Sequence, residues 1–148
     1  MIRPFTFSDL DRILRIELQS FPKSPYDWAT FISLHHLYAK TFLVYISKTP
    51  GREEGQILGY IVFSPDGHII SIAVHPRYRR IGIGKELLQM VFHTARDKKI
   101  WAEVRKSNQG AQAFYLQMGF QITEAVPNYY GKEDALIVQW TPIVLESS

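Results

Sequence analysis

The stretch Ile72-Ala73-Val74-His75-Pro76-Arg77-Tyr78-Arg79-Arg80-Ile81-Gly82-Ile83-Gly84-Lys85 decides how the rest of the chain reads. Its first three residues end an apolar segment of strand character, and Pro76 stops that strand because proline has no N–H to give to a ladder. From Ile83 onward, apolar residues recur at Leu87, Leu88, Val91 and Ala95, on one face of a helix. The order is therefore strand, glycine loop, helix start. The first turn of a helix leaves four backbone N–H groups without intrahelical partners, and its dipole favours negative charge there. Glycine lets a ligand come close to the backbone, so the stretch can cradle a pyrophosphate, with Arg79, Arg80 and Lys85 adding positive charge. The spacing is not a Walker A loop, which needs Gly-Lys-Ser/Thr, nor a Gly-x-Gly-x-x-Gly dinucleotide fingerprint. Two glycines before a helix also fit a tight turn with close helix packing, and the loop alone leaves both open.

On the N-terminal side, Ser8-Asp9-Leu10-Asp11 predicts a helix start with Ser8 as N-cap and an acid three residues on. Leu10, Ile13, Leu14 and Leu18 then follow at helical spacing. After the break at Phe21-Pro22-Lys23-Ser24-Pro25, a second helix carries Trp28, Phe31, Ile32 and Leu37. Thr41–Ser47, Gln56–Phe63 and His68–Val74 read as three strands of an antiparallel meander, joined by a loop at Thr49–Gly55 and a turn at Pro65-Asp66-Gly67. On the C-terminal side, Ile100–Arg105 is a strand and Asn108 caps a short helix with Ala111, Phe114, Tyr115 and Met118 on one face. Gly119-Phe120 starts another strand, and Ala135–Trp140 is the last. This ordering predicts an α/β (α+β) fold: a mixed, mostly antiparallel sheet of about six to seven strands, flanked by about four helices.

The 148 residues suit one domain, 1–148. There is no cysteine, which excludes disulfides, thiolate metal ligands and a cysteine acyl intermediate. No metal is expected. Met1–Asp11 lacks the apolar core of a secretory signal, and no apolar run approaches a membrane span, so a cytoplasmic protein without membrane contact is expected. The net charge of +3 is uneven: His75–Lys85 holds Arg77, Arg79, Arg80 and Lys85 with no acid. Such a cluster suits a polyanionic small ligand, an acidic partner or plain solvation. Because it coincides with the glycine loop, no nucleic-acid partner is expected.

Val74-His75-Pro76-x-Tyr78-Arg79-Arg80-x-Gly82-x-Gly84 resembles motif A of the GNAT superfamily of N-acetyltransferases, whose signature is Gln/Arg-x-x-Gly-x-Gly/Ala. Asn108 with Ala113-Phe114-Tyr115-x-x-x-Gly119-Phe120 resembles its motif B, in the right order and at the right separation. The resemblance implies acetyl-CoA as cofactor and coenzyme A as product. Its pantetheine arm would run beside Ile72, Ala73 and Val74 and bond to their backbone. The pyrophosphate would rest on the amides of Arg79, Arg80, Ile81, Gly82, Ile83, Gly84 and Lys85. Asn108 would bond the cofactor, although a helix cap alone also explains it, and Tyr115 would lie at the cofactor as well. Within the superfamily, Trp101-Ala102-Glu103-Val104-Arg105 looks like the ribosomal-protein alanine N-acetyltransferase group and its archaeal N-terminal acetyltransferase kin. There, Glu103 would be the base and Tyr115 the general acid, with core packing the other reading of Tyr115. Strand alternation puts Trp101, Glu103 and Arg105 on one face and Ala102 and Val104 on the other. Two more segments match that group and imply acceptor contacts: Glu17-x-x-x-Phe21-Pro22-x-Ser24-Pro25-Tyr26, with Phe21, Pro22 and Tyr26, and Asn128-Tyr129-Tyr130-Gly131, with Tyr129 and Tyr130.

Without cysteine, transfer is direct attack of a neutral amine on the thioester. A base takes the amine's proton and an acid serves the leaving thiolate. An α-amine titrates near pKa ~7.7–8.0 and a lysine near ~10.4. Roughly a tenth of the former is neutral at pH 7, and the base must do about 3.4 kcal/mol more for the latter. The expected acceptor is thus a protein or peptide N-terminus, acetylated by a monomer or weak homodimer. A small amine, a lysine side chain and a non-catalytic acetyl-CoA-binding module are the alternatives.

Overall fold

A computed structural model describes residues 1–48 and 55–142, so the loop expected at Thr49–Gly55 falls almost wholly outside the described residues. The elements in order are β1 (Ile2–Pro4), a 3-10 turn (Phe7–Asp9), α1 (Leu10–Ser20), α2 (Trp28–Leu37), β2 (Phe42–Ile46), β3 (Ile57–Phe63) and β4 (Ile69–Val74). A second 3-10 turn (Pro76–Tyr78), α3 (Ile83–Ala95), β5 (Ile100–Arg105), α4 (Gln109–Gln117), β6 (Gln121–Val126) and β7 (Ala135–Trp140) follow. They fall into two compact units: Met1–Ser64 with Ile70–Met90, and Pro65–Ile69 with Val91–Ser148.

The first unit holds a sheet of order β1-β2-β3-β4. The expected meander is there, with β1 added at its edge, where Pro4 faces Leu43 of β2. Three residues ending in proline carry no periodicity, and an edge is where a sheet tolerates proline. Every residue of β3 is buried, which is why Ile57-Leu58-Gly59-Tyr60-Ile61-Val62-Phe63 runs apolar without alternation. Phe5, Ile13, Ile16, Phe31, Phe42 and Tyr60 belong to the core cluster of this unit.

Both first helices sit differently from the expectation. Asp9, not Ser8, is the N-cap residue of α1, and its side chain turns back to the residues before the helix. Its carboxylate accepts the Thr6 N–H at 2.8 Å and both ends of the Arg3 guanidinium at 2.7 and 2.8 Å. With the start so placed, Ile13, Ile16 and Glu17 are the buried face and Leu18 is exposed. In α2, Phe31 and Leu34 are buried, while Trp28 and Leu37 face solvent. Asp27 caps this helix through the Thr30 N–H at 2.9 Å.

The second unit holds a sheet of order β5-β7-β6, antiparallel throughout. The parallel contact among the described residues is a single bridge, His68 to Trp101. Burial along β5 alternates as expected: Ile100, Ala102 and Val104 are buried, and Trp101, Glu103 and Arg105 half-buried. β6 begins at Gln121 rather than Gly119. Phe120 is a buried plug instead, its ring 5.0 Å from Tyr115 and 6.2 Å from Phe92. No helix among the described residues is long and apolar enough to cross a membrane.

Candidate active site

The cofactor-side residues lie in the first unit. β4 is the outer strand of its sheet, and an edge strand presents unpaired N–H and C=O groups to an extended ligand. Ile72, Ala73 and Val74 lie at the C-terminal end of this outer strand. Pro76–Tyr78 make one 3-10 turn, with the His75 ring nitrogen accepting the Arg77 N–H at 3.2 Å. The loop then turns through positive φ at Arg80 (65°) and Gly82 (94°). The Gly82 carbonyl accepts the first helical bond, from the Glu86 N–H at 3.0 Å. A Cβ on Gly82 would meet nothing within 4 Å, so the space over the loop is open to a ligand. Arg80, Ile81 and Lys85 are exposed around it. Arg79 is committed differently: its Nε donates to the Val74 carbonyl at 3.0 Å and its Nη2 to Ser20 Oγ at 3.2 Å. It braces the loop against the strand and the end of α1, which its reading as added charge did not contain.

The segment expected to meet the acceptor follows α1. The Phe21 N–H closes the helix on the Glu17 carbonyl at 2.8 Å. Phe21 and Tyr26 are half-buried and pack against the core cluster, Tyr26 meeting Phe31 edge-on at 5.8 Å. Pro22 is exposed. The rings of Phe21 and Tyr26 thus spend part of their surface on the core.

The second unit holds Glu103, Tyr115, Asn108, Tyr129 and Tyr130. Glu103 is paired: its Oε2 lies 2.8 Å from His68 Nε2. His68 stacks flat on Trp101, rings 4.9 Å apart and 2° from parallel. The Trp101 N–H donates to the Gly67 carbonyl at 3.0 Å and holds the Gly67-His68 backbone against β5. Sequence reasoning missed His68. Its signal was a histidine directly after a Pro-Asp-Gly turn, which carries no chemistry until the bridge to Trp101 is known.

Tyr115 is buried. Burial pushes its phenol up, and Glu103 and Tyr130 add to the shift. It therefore stays protonated and suits a donor's role. It also packs on Phe114 and Phe120, as its core reading expects. Asn108 caps α4, its Oδ1 accepting the Ala111 N–H at 3.0 Å.

Tyr129 and Tyr130 sit on the turn between β6 and β7, their rings edge to face at 4.9 Å. Burial and Glu103 also raise the Tyr129 phenol. The Arg105 guanidinium lies 4.1 Å over the Tyr130 ring and donates to Glu133 Oε1 at 2.8 Å. The Ser107 N–H donates to the other Glu133 oxygen at 2.8 Å, and the Asn128 N–H to Asp134 Oδ1 at 3.0 Å. Glu133, also missed from sequence, thereby ties the tyrosine turn to the end of the strand that carries Glu103.

Residues 9–120 match the model of the Acetyltransferase (GNAT) family. An uncharacterized N-acetyltransferase of Methanocaldococcus jannaschii is 37% identical, covering 93% of this chain and 89% of its own. An N-alpha-acetyltransferase of Sulfolobus acidocaldarius is 31% identical, covering 93% and 89%. A putative ribosomal protein bS18-alanine N-acetyltransferase of Bacillus subtilis is 31% identical, covering 96% and 95%. Among solved structures, Ard1 from Thermoplasma volcanium superposes with a TM-score of 0.81 at 32% identity, covering 99% and 98%. A family model that matches most of the chain, with these relatives over nearly the full length, leads to one assignment: the chain belongs to the GNAT family and is an N-acetyltransferase.

Proposed function

We propose that this enzyme acetylates the α-amine at the N-terminus of a peptide or protein, as one acetyltransferase domain spanning 1–148. Acetyl-CoA supplies an activated acetyl thioester whose carbonyl carbon the amine attacks. The backbone amides from Arg79 to Lys85 hold its pyrophosphate, the free edge of Ile72–Val74 bonds its pantetheine, and Asn108 meets it with its amide nitrogen. Glu103 takes the proton from the incoming amine and shares it with His68, through which it leaves toward solvent. Tyr115 gives its phenolic proton to the departing sulfur. Tyr129 and Tyr130, with Phe21, Pro22 and Tyr26, orient the acceptor.

The observation that carries this reading is the 2.8 Å contact between Glu103 and His68. It equips one carboxylate to relay a proton, which is enough for an α-amine that is already partly neutral at pH 7. The relatives named N-alpha-acetyltransferase and ribosomal protein-alanine N-acetyltransferase support the same acceptor class. A peptide panel read by mass spectrometry decides it, with free and blocked α-amines, lysines retained, and ribosomal-protein N-termini included. Acetylation confined to free α-amines is expected. Equal acetylation of blocked peptides would sink the proposal.

A further inference from the structure

Glu17 is an ionisable group that the proton steps leave unused. It lies in the last turns of α1 and is 2% exposed. Its two oxygens are divided. One accepts the Tyr26 N–H at 3.1 Å, and the other accepts the hydroxyl of the fully buried Tyr60 in β3. That hydroxyl is also 2.9 Å from Ser71 Oγ in β4. One carboxylate thus fastens the end of α1, the backbone of the segment that follows, and the middle of two strands. Burial pushes the Glu17 carboxyl up and the Tyr60 phenol well above its usual value.

Packing does not require such a group. A buried carboxylate costs several kcal/mol of desolvation, and apolar side chains of similar volume commonly replace buried polar networks without loss of stability. What the carboxylate does that an apolar side chain cannot is hold the Tyr26 N–H, in a segment that belongs to neither helix nor strand. At the other end of that segment, Arg79 from the cofactor loop holds Ser20, one residue before Phe21. Phe21–Tyr26 is therefore tied at both ends by polar side chains.

We infer that Glu17 is a positioning residue for the acceptor: through Tyr26 it fixes the Phe21–Tyr26 segment in the place where the acceptor's first residues bind. The inference rests on reading Phe21, Pro22 and Tyr26 as acceptor-side. It assigns Glu17 an effect on acceptor affinity, separate from both acetyl-CoA binding and the chemical step.

Three proteins test it: wild type, Glu17→Gln and Glu17→Leu. Glutamine keeps an oxygen for the Tyr26 N–H and offers an N–H to the Tyr60 oxygen; leucine does neither. For Glu17→Leu the acceptor KM rises about tenfold or more, the scale of one lost hydrogen bond to a charged group. Its kcat and its acetyl-CoA Kd by calorimetry stay within about twofold, and Glu17→Gln stays within about threefold of wild type throughout. Amide exchange by mass spectrometry, which needs no acceptor, speeds up over 21–26 in the leucine variant only. Should Glu17→Leu not fold, Tyr60→Phe releases the carboxylate from its other side, and a smaller rise in acceptor KM with faster exchange over 21–26 is expected. An unchanged acceptor KM, an equal loss in kcat, or unchanged exchange overturns the inference. If wild type ignores peptide α-amines, the acceptor proposal falls by itself. The same KM comparison is then made with whichever amine the wild type acetylates, and an unchanged KM there overturns the positioning role.

Discussion

Replacing Gly67 by alanine should damage stability and catalysis together, and the structure gives the size of each part. Gly67 has φ +109°, a region that L-residues avoid. A Cβ there would also overlap the carbonyl oxygen of Lys99 and lie 3.1 Å from its carbon, which are backbone atoms that cannot swing aside. The backbone term is about 1–2 kcal/mol, and overpacking adds roughly 1–3 kcal/mol. A loss of about 2–5 kcal/mol should lower Tm by roughly 5–15 °C for a chain of this size. Catalysis suffers because the Gly67 carbonyl is what the Trp101 N–H holds, and the next residue is His68, stacked on Trp101 and bonded to Glu103. If alanine pushes this backbone off β5, His68 leaves Glu103 and kcat/KM falls about tenfold or more at pH 7. Gly82→Ala is the comparison: φ is +94° there too, but a Cβ meets nothing within 4 Å. It should cost only the backbone term, about 1–2 kcal/mol. Thermal unfolding by circular dichroism and steady-state kinetics measure both variants. Equal Tm losses for the two would refute the steric argument. A Gly67→Ala enzyme with full activity would refute the link to His68.

Glu103→Gln should lower kcat/KM by about 10²–10⁴ at neutral pH, with the deficit shrinking above pH ~8 as the α-amine deprotonates unaided; a pH–rate profile checks this, and a large loss of acetyl-CoA affinity by calorimetry would remove the assignment. His68→Phe keeps the stack on Trp101 but loses the Glu103 contact, so kcat should fall about tenfold with Tm nearly unchanged; a falling Tm with unchanged kcat would make His68 structural. Glu133→Ala unties the tyrosine turn from Arg105 and Ser107, and peptide KM should rise more than kcat falls, by about fivefold to tenfold; unchanged peptide KM contradicts the anchoring role. Asp9 tests the fold: burial opposes its ionisation, but Arg3 and Thr6 together hold its carboxyl below the usual range. A depressed folded pKa gives stability that is full above the ordinary carboxylate range and lost as pH falls through the folded value. Asp9→Asn should therefore cost about 1–3 kcal/mol at pH 7, with the Tm gap from wild type narrowing as pH falls below the ordinary carboxylate range; a gap constant with pH would show that the charge plays no part.

Period and punctuation made much of the fold legible. β5 and β7 occupy the residues expected: β5 shows alternation, and polar turns precede both. α3 buries the five residues its spacing named, Ile83, Leu87, Leu88, Val91 and Ala95. The face expected for α1 holds at Leu10, Ile13 and Leu14, which pack in the core, and fails at Leu18, which is exposed. In α2 the apolar residues spread around the helix, and tertiary partners choose among them: the Tyr26, Phe42 and Tyr60 rings meet Phe31. β1 escaped because an edge strand of three residues owes its existence to β2 rather than to its own pattern.

The site divides along a different line. Placements that rest on backbone geometry or a local motif were legible: Gly82 in its loop, Asn108 at its cap, and Glu103 on one face of its strand, with its reading as base coming from the resemblance. Residues that act through a partner far along the chain were not. His68 meets Glu103, 35 positions away, and Glu133 meets Arg105, 28 away; Glu17 stood in a quoted segment, but its bond with Tyr60, 43 away, was not readable there. Each is a polar side chain whose meaning is set by the group it meets, and a chain alone does not say which pairs meet. The cofactor half of the reading is local and the acceptor half is not. Glu17, His68 and Glu133 each brace something assigned to the acceptor or its proton: the Phe21–Tyr26 segment, the base and the tyrosine turn. A change at one of these pairs leaves Arg79 to Gly84 as it is, and it is in such pairs that acceptor preference should be sought.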